Sequence, residues 1–472
     1  MKTNILYFPL LVLLSTVFLC GCSNDDEPVA TATDGTTLTV TARADGFAST
    51  DGTAQTGAPQ TRASESGYTT TFVKGDQIGV FAVKDGSIII GCQNVPLTYN
   101  GTSWSGSAPV YKYAGATYFA YYPYTVNMND KTSVDAIVAA FNTTVTTATD
   151  QSTYAKYTAC DLMTTTGAVS PTGTSLSFSF THKMSLIEIS LPAQKYKTTD
   201  NANAYEYSAP VLGATFSLTP SSGSSATTIK PCPIGNGAFR YIVPAGTSGV
   251  TVSGAFDTAD GKTIEYSKSS LSLSAGNYKR LNVTYSGAPS TPTERALAVG
   301  DFYYSDGSIY PGDASNPPSE GCIGVVYCVD NSFITSNSTK KSDSGYIHGL
   351  VVALKDASSS SNWSNASSAV SNYGNTVATP SGSSGWYLPN LDELKYICWG
   401  NNSSQSANGK GYLNDQFNKL SSGNADSFGG GYYRSSTEGY NSGVALYVYF
   451  GNGNVDCTSK DYTCGVRSSL AF

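Results

Sequence analysis

Apolar and polar side chains alternate along much of the chain, which is the pattern of β-strands that bury one face. The first such stretch covers residues 36–43, where Leu38, Val40 and Ala42 share one side. Comparable stretches follow at residues 72–83, 118–124, 175–189, 239–244, 250–252 and 281–285. Gly, Asn and Asp, which favour turns, separate them. We therefore predict a mainly β chain whose strands form sandwiches.

One segment near the C-terminus has a helical pattern instead. It runs from Asn390 to Ile397 and follows Pro389 directly. Asn390 is a good N-cap, and Glu393 stands three residues later, as in a capping box. Residues 361–373 form a weaker helix candidate. The last part of the chain therefore combines helix with strand.

The chain carries little charge, which limits its partners. Only 13% of residues are charged, and the net charge is −7. A nucleic-acid-binding protein needs a basic stripe, and no such stripe is present in the sequence. We expect no nucleic-acid partner.

The sequence offers little for catalysis. His182 lies in an alternating strand and His348 precedes an apolar stretch, so we expect both to be structural. No hydrolase, zinc, nucleotide or calcium motif is present. A Ser/His/Asp triad assembled in space remains an alternative. We predict a protein that is not an enzyme and that needs no metal or cofactor.

The N-terminus has the form of a lipoprotein signal. An apolar run from Ile5 ends in Leu19-Cys20-Gly21-Cys22, and it is too short to span a membrane. We predict that residues 1–21 are removed and that Cys22 is acylated and inserted in outer-membrane lipid. An ordinary secretory signal with a chance cysteine is the alternative.

Export would permit disulfides among the remaining cysteines. Spacing favours two local pairs, Cys322 with Cys328 and Cys457 with Cys464, although sequence alone does not fix connectivity. We expect Cys92, Cys160 and Cys232 to be buried free thiols.

Residues 36–287 resemble the fimbrillin family, the pilin-like lipoproteins of the Bacteroides group. The matching features are the lipoprotein signal with the acidic residues 25–27, Thr61-Arg62-Ala63, and residues 74–81, 161–163, 178–187 and 273–278. The resemblance implies two transthyretin-like β-sandwiches and a precursor cut after an arginine. Arg62–Ala63 is the preferred cut and Arg43 the competing one. The strand with Leu38, Val40 and Ala42 would then leave, and a strand from another fimbrial subunit would replace it. A simple stalk over residues 36–62 is the alternative.

The last domain resembles bacterial surface domains with a C-type-lectin-like fold, related to the Fibrobacter paralogous domains. The matching segments are residues 385–389, 393–394, 433–438, 445–453 and 465–467. Arg434 replaces the usual Trp of one motif, and the calcium-binding motifs of animal lectins are missing from the sequence. Aromatic and cationic side chains that could contact a host or bacterial glycan or protein are Trp363, Trp399, Tyr432, Tyr433, Arg434 and Tyr440. Core packing is the alternative for each of them.

The predicted organisation follows these resemblances. The predicted signal peptide covers residues 1–21, and the tether with the removable first strand covers residues 22–62. Two sandwiches follow at residues 63–190 and 191–287. A Pro/Ser/Thr linker at residues 288–297 leads to the adhesive domain at residues 298–472. Residues 466–472 are expected to be integral to the last domain, so the subunit would accept a strand but not donate one.

We therefore predict a tip adhesin of a fimbrium, present first as a lipid-anchored outer-membrane precursor and then in the surface fibre. The alternative is a surface lipoprotein that binds glycans or proteins and never polymerises. A third possibility is an extracellular hydrolase.

Overall fold

The computed structural model describes residues 33–49, 64–199, 204–221, 223–288, 291–343, 345–346, 348–401 and 403–472. The signal peptide, Cys22, Arg62 and Ala63 lie outside these residues, so the predictions on them stay predictions. Strands predominate over helices in the described part, which confirms the mainly β class.

The first unit is built on one large sheet. Its strands follow the order β2-β13-β12-β11-β6-β8-β9, with β7 paired to β6. Their bounds are β2 Thr39–Ala44, β6 Gln77–Lys84, β7 Ser87–Ile88, β8 Val95–Tyr99, β9 Trp104–Ser105, β11 Thr117–Tyr122, β12 Met163–Thr165 and β13 Ser175–His182. Two further pairs join β1 (Thr33–Thr37) to β10 (Tyr111–Tyr113), and β4 (Ser64–Ser66) to β5 (Thr69–Thr71).

Both faces of this sheet are buried. One face and the β1–β10 pair enclose a core that includes Val80, Phe178 and Phe180. On the other face lie α1 (Val134–Thr147) and α2 (Tyr154–Ala159), against Phe81 and Phe119. The sequence did not lead us to predict α1, although Ser133 caps it and Ile137, Phe141 and Val145 form its buried stripe.

The second unit consists of two sheets packed face to face. One sheet has the order β19-β20-β14-β23-β3 and the other β18-β17-β21-β22. Their bounds are β3 Ala48–Ser49, β14 Met184–Ser190, β17 Leu212–Thr219, β18 Thr227–Thr228, β19 Cys232–Gly235, β20 Ala238–Pro244, β21 Ser248–Asp257, β22 Thr263–Ser272 and β23 Asn277–Asn282. Ile187, Val243, Phe216 and Val252 fill the core between the sheets.

The division between the first two units differs from the expected one after residue 190. The alternating stretch 175–189 does form two strands, but β13 joins the first sheet and β14 joins the second. The chain therefore passes from one sheet to the next at Lys183, and a boundary after residue 190 would cut β14 from its own sheet.

The segment before the last unit is held by neighbouring strands. β24 (Thr293–Glu294) pairs with β15 (Lys195–Lys197), which pairs with β16 (Glu206–Ser208). Arg295 donates to both carboxylate oxygens of the buried Asp301 at 2.8 and 2.6 Å and to the Tyr207 hydroxyl at 2.9 Å. A guanidinium with two parallel bonds to a carboxylate fixes orientation, so Arg295 holds Asp301 of the last unit beside Tyr207 of β16.

The last unit is built on an eight-stranded sheet with the order β26-β25-β27-β28-β32-β29-β30-β31. The strands are β25 Phe302–Tyr304, β26 Ile309–Tyr310, β27 Cys322–Cys328, β28 Leu350–Ser361, β29 Tyr432–Glu438, β30 Val444–Tyr449, β31 Asn454–Ser459 and β32 Cys464–Ala471. Its helices are α3 Asn331–Asn337, α4 Trp363–Thr376, α5 Leu391–Trp399 and α6 Asn408–Phe417.

Helix α5 confirms the prediction from the sequence. Asn390 accepts from the Glu393 backbone N–H, and the Glu393 carboxylate accepts from the Asn390 backbone N–H. The weaker candidate at 361–373 is also a helix, α4. Among the described residues, helices are all too short or too polar to cross a membrane.

Candidate functional site

The strand predicted to be removable corresponds to β2, which closes one edge of the first sheet. It runs parallel to β13, with Thr39 opposite Ser175 and Ala44 opposite Phe180. Of the three predicted residues, Leu38 and Val40 are buried in the core and Ala42 packs partly buried beside them. The sheet order places β2 at the end, so β13 is its single partner among the described strands.

After β2 the chain crosses to the second unit. The Asp45 N–H donates to the Phe180 carbonyl, and the Phe47 N–H donates to the Tyr68 carbonyl, both at 2.9 Å. β3 then pairs in parallel with the start of β23, Ala48 opposite Asn277. Residues 38–49, which we call the first-strand segment, therefore close the edges of two sheets in succession.

Buried contacts between Phe47 and His182 hold the middle of the first-strand segment in place. The Phe47 side chain is 5% exposed, and its ring stacks on that of His182 at 3.8 Å. His182 Nε2 lies 2.9 Å from the Asp45 carbonyl oxygen. A carbonyl only accepts, so this contact is a hydrogen bond in the tautomer that has its proton on Nε2. His182 Nδ1 lies 2.8 Å from Asp161 Oδ1, which orients the ring.

Gly46 permits the crossing. A Cβ at this position would collide with the Tyr68 carbonyl oxygen, so any larger residue would displace the chain. Backbone approaches this close are a recurring reason for glycine.

Aromatic and charged side chains lie beneath residues 45–47, where the chain crosses from the first unit to the second. Tyr68 stacks on Tyr278 at 3.6 Å, with the Arg240 guanidinium 4.7 Å from the Tyr68 ring centre. Glu188 accepts from Arg240 at 2.9 Å and lies 3.1 Å from Arg280. Burial, and then the Glu188 charge, raise the pKa of the Tyr68 hydroxyl well above its usual value. Since Tyr68 lies in the β4–β5 hairpin, the chain just after the predicted cut is anchored independently of the first strand.

The predicted ligand residues of the last unit fall into two groups. Tyr440 and Tyr432 are 84% and 40% exposed, and Trp363 is half-buried beneath Lys460 Nζ at 4.0 Å. The other three, Trp399, Tyr433 and Arg434, are buried. Tyr433 and Arg434 have to be withdrawn as surface ligands, because neither is open to a partner. Trp399 is 9% exposed and lines a cavity of about 270 Å³ with Tyr396 and Tyr412, so its predicted role stays a prediction.

Their contacts explain the burial. Trp399 donates to the Gly453 carbonyl at 2.8 Å, and Tyr433 donates to Asp356 at 3.2 Å. Arg434 donates to the carbonyls of Ala445 and Tyr462. All three therefore stabilise the last unit from within.

Tyr432 belongs to a cluster that we did not predict. The rings of Tyr447, Tyr449 and Tyr462 lie 5.1, 4.9 and 6.3 Å from its ring. We call these four residues the tyrosine surface. Tyr447 and Tyr449 are two residues apart on β30, so strand periodicity places them on one face, which is the signal that the sequence offered.

The matched family covers the units that share the first strand. The family described as Fimbrillin-like matches residues 61–298. The chain belongs to the fimbrillin-like family. A relative from Bacteroides ovatus, named "Putative fimbrium tip subunit Fim1C", is 33% identical over 364 residues, which is 71% of this chain. The match spans 64% of that relative's length.

A solved structure also resembles the chain. It is the crystal structure of a fimbrial protein from Bacteroides ovatus, with 25% identity and a TM-score of 0.43. The likeness covers 93% of this chain and 99% of that one.

The fimbrillin-like match ends at residue 298, so the tyrosine surface lies outside it. The residues that receive β2, β3 and Phe47 all lie inside it. The strands and side chains that bind the first-strand segment are thus part of the family region, and the tyrosine surface is part of the unit that follows.

The two predicted disulfides of this fimbrillin-like chain are wrong. None of the eight cysteines in the described part is bonded to another. Cys322 and Cys328 stand at opposite ends of β27, about 20 Å apart at strand spacing, whereas a disulfide needs Cα atoms within about 7 Å. Cys457 on β31 is separated from Cys464 on β32 by two intervening strands.

The thiols are protected by burial. Burial raises the pKa of Cys92, Cys322, Cys328 and Cys398 to about 12, so they stay protonated and unreactive. The free, buried state expected of Cys92, Cys160 and Cys232 is confirmed. Within the described ranges, no group of three His, Cys, Asp or Glu side chains is placed to hold a metal ion.

Proposed function

We propose that this chain is a subunit of a cell-surface fimbrium that accepts a strand from another subunit and sits at the fibre tip, with its last unit facing outward to adhere. The observation that carries the proposal is the first-strand segment, which closes the edges of two sheets in succession.

Removing this segment would be costly unless another strand replaced it. β13 would lose its pairing with β2 over six residues and would keep only its pairing with β12. The sites of Leu38, Val40 and Phe47 would open to solvent, and each such side chain contributes about 1.5–3 kcal/mol when buried. An extended strand from a second subunit would restore both the hydrogen bonds and the apolar contacts, which is β-strand addition.

The trigger in this proposal is cleavage between Arg62 and Ala63. Arg43, the competing site, lies within β2 and donates from Nε to the Ser179 hydroxyl at 3.0 Å. A protease needs an extended, accessible chain, so pairing with β13 disfavours cutting at Arg43.

The tip position is supported by β32. This strand lies between β28 and β29, so it is paired on both sides and holds the last sheet together. It is therefore unsuited to serve as a strand offered to a neighbour. The Bacteroides ovatus relative is named a fimbrium tip subunit, which agrees with this position.

Adhesion is assigned to the last unit because it carries the tyrosine surface and the exposed Tyr440. Tyrosine gives a large contact area with little loss of side-chain entropy and offers a hydroxyl to polar partners. A C-type-lectin-like fold for this unit, transthyretin-like folds for the other two, and the lipid anchor at Cys22 belong to the same proposal.

The test uses cells that carry the chain with Arg62→Ala and Arg43→Ala together. We expect the uncut lipoprotein to accumulate at the cell surface and the subunit to be missing from sheared fibres, as judged by immunogold labelling and mass spectrometry. Lys341→Ala, which removes an exposed cation of the last unit, serves as a control. Normal incorporation of the uncut double variant would refute strand exchange and favour the non-polymerising lipoprotein.

A further inference from the structure

A cavity of about 270 Å³ lies in the last unit, where the end of α5 meets the start of α6. Its walls include Tyr396 and Trp399 of α5, Tyr412 and Leu413 of α6, and Val299 from the segment before β25. It is distinct from the tyrosine surface, because none of those four tyrosines lines it. Ligand pockets usually measure about 300–1,000 Å³, so this cavity suits a single small ring rather than a long chain.

The aromatic walls offer carbon atoms to a ligand, because their polar atoms are already bonded elsewhere. The Trp399 N–H donates to the Gly453 carbonyl at 2.8 Å. The Tyr396 hydroxyl is hydrogen-bonded to the Cys328 thiol. These bonds fix both rings and leave their carbon surfaces for contact with a ligand. Aromatic rings that are already held in place bind C–H groups with little loss of side-chain entropy.

Polar groups stand at the mouth of the cavity. Asn408, the first residue of α6, is exposed, and its side-chain amide can both donate and accept hydrogen bonds. Tyr412 is 43% exposed, and its hydroxyl donates to the Val299 carbonyl at 3.1 Å, which fixes the ring at the edge of the cavity. A molecule with an apolar face and a hydroxyl-bearing edge would match carbon walls inside and an amide at the mouth.

The charges around the cavity favour a neutral ligand. Among the described residues that line it, none is charged. Lys395 Nζ lies 5.7 Å from the Trp399 ring centre, but it is paired with Asp392 at 3.0 Å. A charged group that left water for this cavity would therefore gain no unpaired opposite charge to offset its lost hydration.

We propose that this cavity binds one neutral sugar ring of a glycan, with the C–H face of the sugar against Tyr396 and Trp399 and its hydroxyl groups towards Asn408. A pyranose has the required division, because its C–H groups share a face and its hydroxyls project from the edge. This inference rests on the adhesive role proposed for the last unit and adds a ligand class and a second contact site to it. A single ring of this size should bind with a Kd of about 1 mM.

The test uses the purified, uncut chain and three kinds of small probe. The first kind is a set of neutral methyl glycosides, those of galactose, glucose, mannose, fucose, N-acetylglucosamine and N-acetylgalactosamine. The second is the methyl glycosides of glucuronic acid and N-acetylneuraminic acid, and the third is cyclohexanol, an apolar ring of similar size. Saturation-transfer NMR identifies the probe protons that contact the protein, and titration gives the Kd.

We expect at least one neutral glycoside to bind with a Kd of about 1 mM and with the strongest transfer to the C–H protons of one face. The charged glycosides and cyclohexanol should bind at least about tenfold more weakly, because the first lack a counter-charge and the second cannot use the amide at the mouth.

Variants assign the binding to the cavity. Asn408→Ala and Tyr412→Ala should each weaken binding of the preferred glycoside about fivefold, since one removes a hydrogen bond and the other a ring contact. Asn424→Ala, an exposed amide that does not line the cavity, and Tyr440→Ala should leave the Kd unchanged. Denaturant unfolding of each variant checks that the last unit remains folded.

Three results would overturn this inference. They are the absence of binding by every neutral glycoside, tighter binding of cyclohexanol or a charged glycoside than of any neutral one, and neutral binding that neither cavity variant weakens. Each of them would leave fimbrial assembly standing, because the probes act on a single subunit and strand exchange is tested by the double arginine variant.

Discussion

Strands β2 and β32 lie near the two ends of the described chain and are held in opposite ways. β2 is an edge strand with one parallel partner, β13, and most of its outward-facing side chains are exposed. β32 is an internal strand between β28 and β29, and its last six residues are buried. An edge strand can be exchanged without dismantling its sheet, and an internal strand cannot. One chain thus combines an edge strand that another strand could replace with an internal strand that could not be replaced without breaking its sheet.

The largest effect is expected from Phe47→Ala. Loss of a buried phenylalanine costs about 3–5 kcal/mol, because the ring leaves a cavity against His182. In the uncut protein, denaturant unfolding of the first two units should shift by that amount, with Tyr440→Ala as the exposed control. After the segment has been displaced by a peptide with unmodified sequence, the variant and the original should unfold alike. A difference that persists would show that Phe47 acts outside the segment.

Leu470→Ala tests the closed sheet. This fully buried leucine of β32 should cost about 2–5 kcal/mol in the free energy of unfolding of the last unit. Three of the four tryptophans, Trp363, Trp386 and Trp399, lie in this unit, so in a Trp104→Phe background tryptophan fluorescence during denaturation reports on it. The loss should be the same before and after the cut at Arg62. A cut-dependent loss would mean that β32 is coupled to the first strand, contrary to the comparison.

Gly46→Ala should destabilise the packing of the first-strand segment against the protein by about 1–3 kcal/mol. The added methyl group would collide with the Tyr68 carbonyl oxygen and push residues 45–47 away from Tyr68. The cut protein should release residues before 63 faster, as measured by mass spectrometry over time. Gly167→Ala is the matched control, because a Cβ there meets no atom within 4 Å. Equal release rates for the two variants would contradict the tight crossing.

Tyr432→Ala should have the smallest effect on stability, about 1 kcal/mol, because the side chain is 40% exposed and the variant loses mainly its ring contacts with other tyrosines. Adhesion of cells that display the subunit should nevertheless fall, and the loss should exceed that of Tyr440→Ala, which stands apart from the tyrosine surface. Adhesion that is unchanged by the first variant would remove the tyrosine surface as the adhesive site.

Local patterns were sufficient for some elements of this fold. Alternation located β2, β13 and β20, and the Asn390–Glu393 spacing located α5 with its capping box. Each of these signals depends on residues close in sequence. The stripe of α1 was equally local, but a run of Thr and Ala around it obscured the helical period.

Other features depend on which strands become neighbours. The spacing of Cys322 and Cys328 suggested a short loop, yet both belong to one extended strand and lie far apart. Tyr433 and Arg434 resembled their exposed neighbour Tyr432, and only the sheet and the chain packed over it decide which of the three faces solvent. The chain passes between sheets at Lys183 because β14 pairs with β20 and β23. Those partners are distant in sequence, so the local pattern does not predict them.

The clamp of Arg295 on Asp301 and Tyr207 has a mechanical consequence. A load applied to the last unit would pass through the β15–β24 pair and the Arg295 contacts with Asp301 and Tyr207 into the middle of the molecule. In the fimbrium proposed above, a pull on the adhesive unit would therefore strain its contact with the target and the joint with the next subunit at the same moment.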